Sequence, residues 1–183
     1  GGNLRPFFAQ FRKNISMTEP IRFETSLPIT LYRATSTGPK PEWVVLDSGP
    51  GIFHLDPAEQ YGVRLRTISG NDLKRFLKEA QPPEAWKMIN LSENRKLSDA
   101  VIALLAQLPY LEHINLSSVD LTGEGLTFLP GLRYLTSLDL SYCNRLSAKY
   151  LGVIGKCRSL VRLDLQGCSR LTTRDIKLIE RGG

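Results

Sequence analysis

The sequence predicts an α/β fold: a solenoid of about five strand–helix units over residues 61–183, closed at its N-terminal end by a β-rich cap over residues 20–60. Three observations carry that expectation. Apolar residues return in the same order every 24 or 25 residues through the second half of the 183-residue chain. Within each period their spacing changes from two, the period of a strand, to three, close to one turn of a helix. Upstream of residue 61 this pattern stops, and short runs of β-branched and aromatic residues alternate with Pro and Gly.

Residues 1–19 read as a flexible basic arm, in which the 3–4 step of Phe7, Phe8 and Phe11 suits a short amphipathic helix. In the cap, strands are expected at Ile21–Phe23, Ile29–Arg33 and Trp43–Leu46, with breaks at Ser36–Pro39 and Ser48–Gly51. The first unit is degenerate: Tyr61, Val63 and Leu65 form its strand, followed by Ile68, Leu73, Phe76 and Leu77, with Pro82-Pro83 in its extra length.

Four regular copies follow. Trp86, Leu111, Leu135 and Leu160 open them at spacings of 25, 24 and 25; Ile89, Ile114, Leu138 and Leu163 stand three later. Leu91, Leu116, Leu140 and Leu165 come two further on, and Asn94, Val119, Cys143 and Cys168 close the strand. The shared string is L-x-x-L-x-L-x-x-N/C, the signature of a leucine-rich repeat. Leu97, Leu121, Leu146 and Leu171 then turn the chain. Steps of three, such as Leu126, Leu129 and Leu132, mark a helical stripe behind a Ser or Thr (Ser98, Thr122, Ser147, Thr172) suited to an N-cap. One such unit cannot bury its apolar face alone, whereas stacked neighbours make a continuous core.

With Leu140-Ser-Tyr-Cys143-Asn-Arg-Leu146 and Leu165-Gln-Gly-Cys168-Ser-Arg-Leu171, the chain resembles the cysteine-containing leucine-rich repeat family, similar to arrays in F-box receptors and bacterial proteins. The resemblance covers roughly residues 61–180. It implies a curved solenoid whose strand-lined concave face binds protein.

Catalytic chemistry is not expected. Cys143 and Cys168 share a slot with Asn94 and Val119, and Cys157 shares one with Leu108 and Leu132, so all three read as core residues rather than nucleophiles or metal ligands. Three cysteines without C-x-x-C spacing fit a reducing, cytoplasmic setting. His54 and His113 have no positioned nucleophile, and Gly49-Pro50-Gly51 lacks the lysine of a phosphate loop and reads as a turn. No cofactor is implied. The longest uncharged run of the second half, Ala100–Leu111, is well short of the roughly 20 apolar residues a membrane helix needs.

The net charge of +6 is concentrated at one end: basic and acidic residues balance at six each over 1–60 and nine each over 61–143, then stand nine against three over 144–183. A protein partner is therefore the main expectation, with nucleic-acid or anionic-surface binding through the basic C-terminal end as the alternative that charge alone supports. Alternation along the strands assigns the concave face to Arg64 and Arg66, Met88 and Asn90, His113 and Asn115, Asp139, and Arg162 and Asp164. Arg145 and Arg170 mark a basic margin beside it. Repulsion among Arg162, Arg170, Arg174 and Lys177 predicts a monomer at low salt, with self-association through this end as salt screens them.

Overall fold

The computed structural model describes residues 19–36 and 41–181, so the expected basic arm lies outside the described residues but for Glu19. Among the described residues seven strands make one sheet in the order β2-β1-β3-β4-β5-β6-β7. They are β1 (Ile21–Ala34), β2 (Trp43–Leu55), β3 (Tyr61–Leu65), β4 (Trp86–Asn90), β5 (His113–Asn115), β6 (Ser137–Asp139) and β7 (Arg162–Asp164). Strands β3 to β7 pair in parallel, while β1 is antiparallel to both β2 and β3. Each parallel strand leads into a helical segment, and these segments pack against one another in chain order.

The hairpin differs from the sequence expectation. Instead of three short strands there are two long ones, and Ser48–Gly51 lies inside β2 rather than in a turn. The pairing shifts between Thr25 and Ile29, opposite Gly51 and Gly49, so the Gly-Pro-Gly stretch sits across from an irregular stretch of β1 around Pro28. Proline cannot donate to a ladder, and an edge strand such as β2 is where it is tolerated. An aromatic cluster fastens the hairpin to the first units. Phe23 stacks on Phe53 with ring centroids 5.7 Å apart, and meets Trp86 edge-on at 4.9 Å and Phe76 at 6.0 Å.

The helical segments also depart from expectation. Helix α1 (Gly70–Glu79) is a regular α-helix, with a capping box in which Ser69 and Asp72 exchange hydrogen bonds. Helix α2 (Ala100–Leu105) is short, and the next two segments, Glu124–Gly131 and Ala148–Lys156, are 3₁₀ helices. A 3₁₀ helix has three residues per turn, so Leu126, Leu129 and Leu132 lie directly above one another, all buried. The spacing of three, first read as a generic helix, matches this tighter geometry.

Of the four expected N-caps only the hydroxyl of Ser147 accepts a helix N–H, from Lys149. Thr122 instead donates its hydroxyl to Asp99 of the preceding unit at 2.7 Å, and Asp99 also accepts the backbone N–H groups of Thr122, Gly123 and Gly125. Burial opposes the charge of Asp99, but these hydrogen bonds outweigh it and hold its carboxyl below the ordinary value. Gly125 is required here, because a β-carbon would collide with the Asp99 carbonyl.

At each strand exit one residue takes a left-handed conformation: Thr67, Glu93, Ser118 and Tyr142 at φ between 55° and 65°, and Gly167 at 70°. The residue after each one is buried, and it is Ile68, Asn94, Val119, Cys143 or Cys168. Asn94 donates to the carbonyls of Leu65 and Leu91 at 2.8 and 3.0 Å and accepts from the Ile68 N–H at 2.8 Å. The thiols of Cys143 and Cys168 donate to Leu116 and Leu140 at 3.3 and 3.1 Å. Each therefore reaches back to a carbonyl of the preceding unit. Burial drives the Cys143 thiol up to about 12, which keeps it a donor.

The core is fully buried from the hairpin through β6 and loosens at β7, where Leu160, Leu163, Leu165 and Leu171 are only partly buried. In helix α3 (Thr173–Arg181), Ile176 holds the position of the fully buried Ile102, Leu126 and Leu151 but is 44% exposed, because no unit packs on its far side among the described residues. This gradient sets a stability expectation. Leu140→Ala removes a fully buried side chain and should cost about 2–5 kcal/mol, and Leu171→Ala should cost clearly less. Urea unfolding of both variants measures the difference, and equal losses would contradict the register described.

Candidate functional site

The parallel register places side chains in two rows on one face. One runs Arg64, Asn90, Asn115, Asp139, Asp164; the other runs Gly62, Met88, His113, Ser137, Arg162. Most of these side chains are half-buried, and Arg162 is exposed.

The first row is held rigidly at each strand exit. Asn90 Oδ1 accepts the Ser92 N–H at 3.0 Å, Asn115 that of Ser117 at 2.9 Å, and Asp164 that of Gln166 at 2.9 Å. Asp139 Oδ1 accepts both the N–H and the hydroxyl of Ser141, at 2.9 and 2.6 Å. This is the local Asx pattern, which turns the backbone two residues on. One side-chain oxygen of each of these four residues is therefore committed to the turn.

The hairpin completes the site. Ala34 pairs with Trp43, and the Thr35 N–H bonds to the Glu42 carbonyl at 2.9 Å, which fixes the start of β2. From there Trp43 meets His113 edge-to-face, with centroids 5.9 Å apart and an interplanar angle of 77°. Gly62 leaves room for this approach: a β-carbon there would press on Met88 and come within 3.2 Å of the Trp43 ring. The result is a cleft. A 230 Å³ part is floored by Asn90, Asn115, Asp139 and Asp164, and a 340 Å³ part is walled by Pro41, Trp43, Thr136 and Val161. His113, Ser137 and Arg162 line both. Burial lowers the pKa of His113 against the opposing pull of Glu112, so its ring is biased towards neutrality.

The expected binding residues do not all converge. Met88, Asn90, His113, Asn115, Asp139, Arg162 and Asp164 line the cleft. Arg64 stands at the end of the row, where its guanidinium reaches Ser92 and Glu93 at 3.4 and 3.5 Å. Arg66 is exposed beyond the end of β3. Arg145 lies elsewhere, paired with Asp120 at 2.7 Å in a 550 Å³ groove that Arg95 and Tyr142 also line. Arg170 is exposed in the last unit. Sequence reasoning missed Trp43, Pro41 and Val161. A Trp two residues after Pro41 is the available signal, and in the sequence it shows only a strand.

Among the described residues no group of His, Cys, Asp and Glu is placed to hold a metal ion, and no helix is long and apolar enough to cross a membrane. Residues 131–149 match the family model described as Leucine Rich repeat. Among solved structures, the tropomodulin C-terminal domain from Caenorhabditis elegans is similar at a TM-score of 0.51 and 16% identity, covering 66% of this chain and 80% of that one. No curated protein matches the sequence. The structural likeness is one of fold, and with the matched segment it supports a leucine-rich repeat architecture.

His113 gives the cleft a pH signature. Its folded pKa is lowered, so the unfolded chain binds the proton more readily, and stability falls as pH drops through about 6.5. The contribution is complete above that value. Urea midpoints at about pH 7.5 and 5.5 should drop more for the wild type than for His113→Gln. Equal drops would show that His113 is not shielded.

Proposed function

We propose that the chain is a non-enzymatic protein-interaction module. In this reading residues 61–183 are a leucine-rich repeat solenoid of about five units, residues 20–60 cap its N-terminal end, and a partner protein docks in the cleft beneath Trp43. The observation that carries the reading is the ring of Trp43 standing over a half-buried polar floor, since aromatic side chains beside a desolvated surface are favoured anchors of protein interfaces. The rigid Asx turns add to it, because a preorganised floor loses little freedom on binding. The three free cysteines fit a reducing, cytoplasmic setting.

Affinity capture from the source cell tests this with two variants. Ser137→Arg fills the cleft, and Lys156→Glu alters an exposed site on a helical segment. The wild type and Lys156→Glu should retain the same discrete protein, and Ser137→Arg should lose it. Retention of nucleic acid alone, or identical retention by all three, would overturn the proposal.

A further inference from the structure

Within that reading of the cleft as a protein-binding site, we propose that its occupant is a peptide segment presenting an apolar side chain next to a basic one. The apolar half follows from Val161. Backbone hydrogen bonds from Glu112 to Lys87, Thr136 to Glu112 and Val161 to Thr136 put these four residues in one row at the strand entrances. The first three are polar, and Lys87 and Glu112 lie 3.5 Å apart as an ion pair. Val161 breaks the row, and it is 87% exposed. An exposed Val facing Pro41 and Trp43 forms an apolar slot of 340 Å³ open to an aliphatic or aromatic side chain.

The basic half follows from charge. Asp139 and Asp164 sit side by side on neighbouring strands, which are about 4.8 Å apart. Each commits Oδ1 to its own turn, and among the described residues no cation lies within ion-pair distance of either carboxylate. Among the described residues Arg162 is the cation lining this part of the cleft, so two carboxylates face one guanidinium and these floor residues are net negative. A Lys or Arg side chain extended from the slot would relieve the repulsion between the two acids. An acidic side chain would add to it.

The test uses the full chain and three blocked pentapeptides: acetyl-GFGKG-amide, its Lys-to-Glu counterpart and its Phe-to-Ala counterpart. Binding is followed through the Trp43 indole and His113 ring signals by NMR. The Phe–Lys peptide should bind about 2- to 5-fold more tightly than the Phe–Glu peptide, the scale of one exposed ion pair. The Phe-to-Ala peptide should be weaker than its parent. Asp139→Asn combined with Asp164→Asn should erase the Lys preference while leaving the fold intact, because Asn90 and Asn115 make the same turn in the same row. A preference for Glu, a Lys preference that survives the double substitution, or silence at both rings with every peptide would overturn the proposal. The capture experiment separates the two claims: if Ser137→Arg abolishes retention while the peptides show no Lys preference, the cleft binds protein and only this partner chemistry is wrong.

Discussion

At or just past the end of each parallel strand from β3 to β6 the chain leaves the sheet at a fully buried leucine: Leu65, Leu91, Leu116 or Leu140. A buried backbone acceptor without a donor costs about 1–3 kcal/mol, so the repeat stands only if each exit supplies a partner. The residue after the left-handed turn supplies it, by its side chain at Asn94 and, at Leu116 and Leu140, by the N–H of Val119 and Cys143 together with a thiol from the next unit. Asn94 serves two carbonyls, those of Leu65 and Leu91, which is why the next slot can be held by Val119, a residue with no side-chain donor. The array resumes with thiol donors at Cys143 and Cys168. The slot that reads in the sequence as a small buried residue is a hydrogen-bonding position in the fold.

The same exits shape the cleft. Four successive strands end in an Asn or Asp whose side chain catches the N–H two residues on, and this aligns the row across β4 to β7. The strands β5 to β7 are only three residues long, so the turns at their ends govern side-chain position more than the ladder does. The cleft depends equally on the hairpin. Because β1 runs antiparallel to both neighbours, β2 returns Trp43 to the entrance side of the parallel strands, above Met88 and His113. Fold and site are connected through this one inversion of strand direction.

Much of the repeat was legible in the sequence because the same physical need recurs every 24 or 25 residues. Each unit must bury the same faces, so Leu116, Leu140 and their equivalents announce themselves by position. What could not be read depends on contacts between units or on backbone geometry. Thr122 looks like an N-cap until Asp99, 23 residues earlier, takes its hydroxyl. Glu93, Ser118 and Tyr142 occupy left-handed positions that ordinarily favour glycine, and only Gly167 hinted at them. Gly49-Pro50-Gly51 has the composition of a turn, yet pairing with β1 keeps it in a strand. Trp43 is legible as the start of a strand, but its place beside His113 follows only from the hairpin register.

The hydrogen-bonding role of the strand-exit slot separates two substitutions at equivalent positions. Asn94→Val takes a partner from the Ile68 N–H and from two carbonyls at once, whereas Cys143→Val leaves the Leu116 carbonyl still accepting the Val119 N–H at 3.2 Å. Equilibrium urea unfolding should show a loss of about 3 kcal/mol or more for Asn94→Val and about 1 kcal/mol or less for Cys143→Val. Losses of about 1 kcal/mol or less for both would mean that the slot asks only for a small buried side chain, and that the strand exits are held by something other than this ladder.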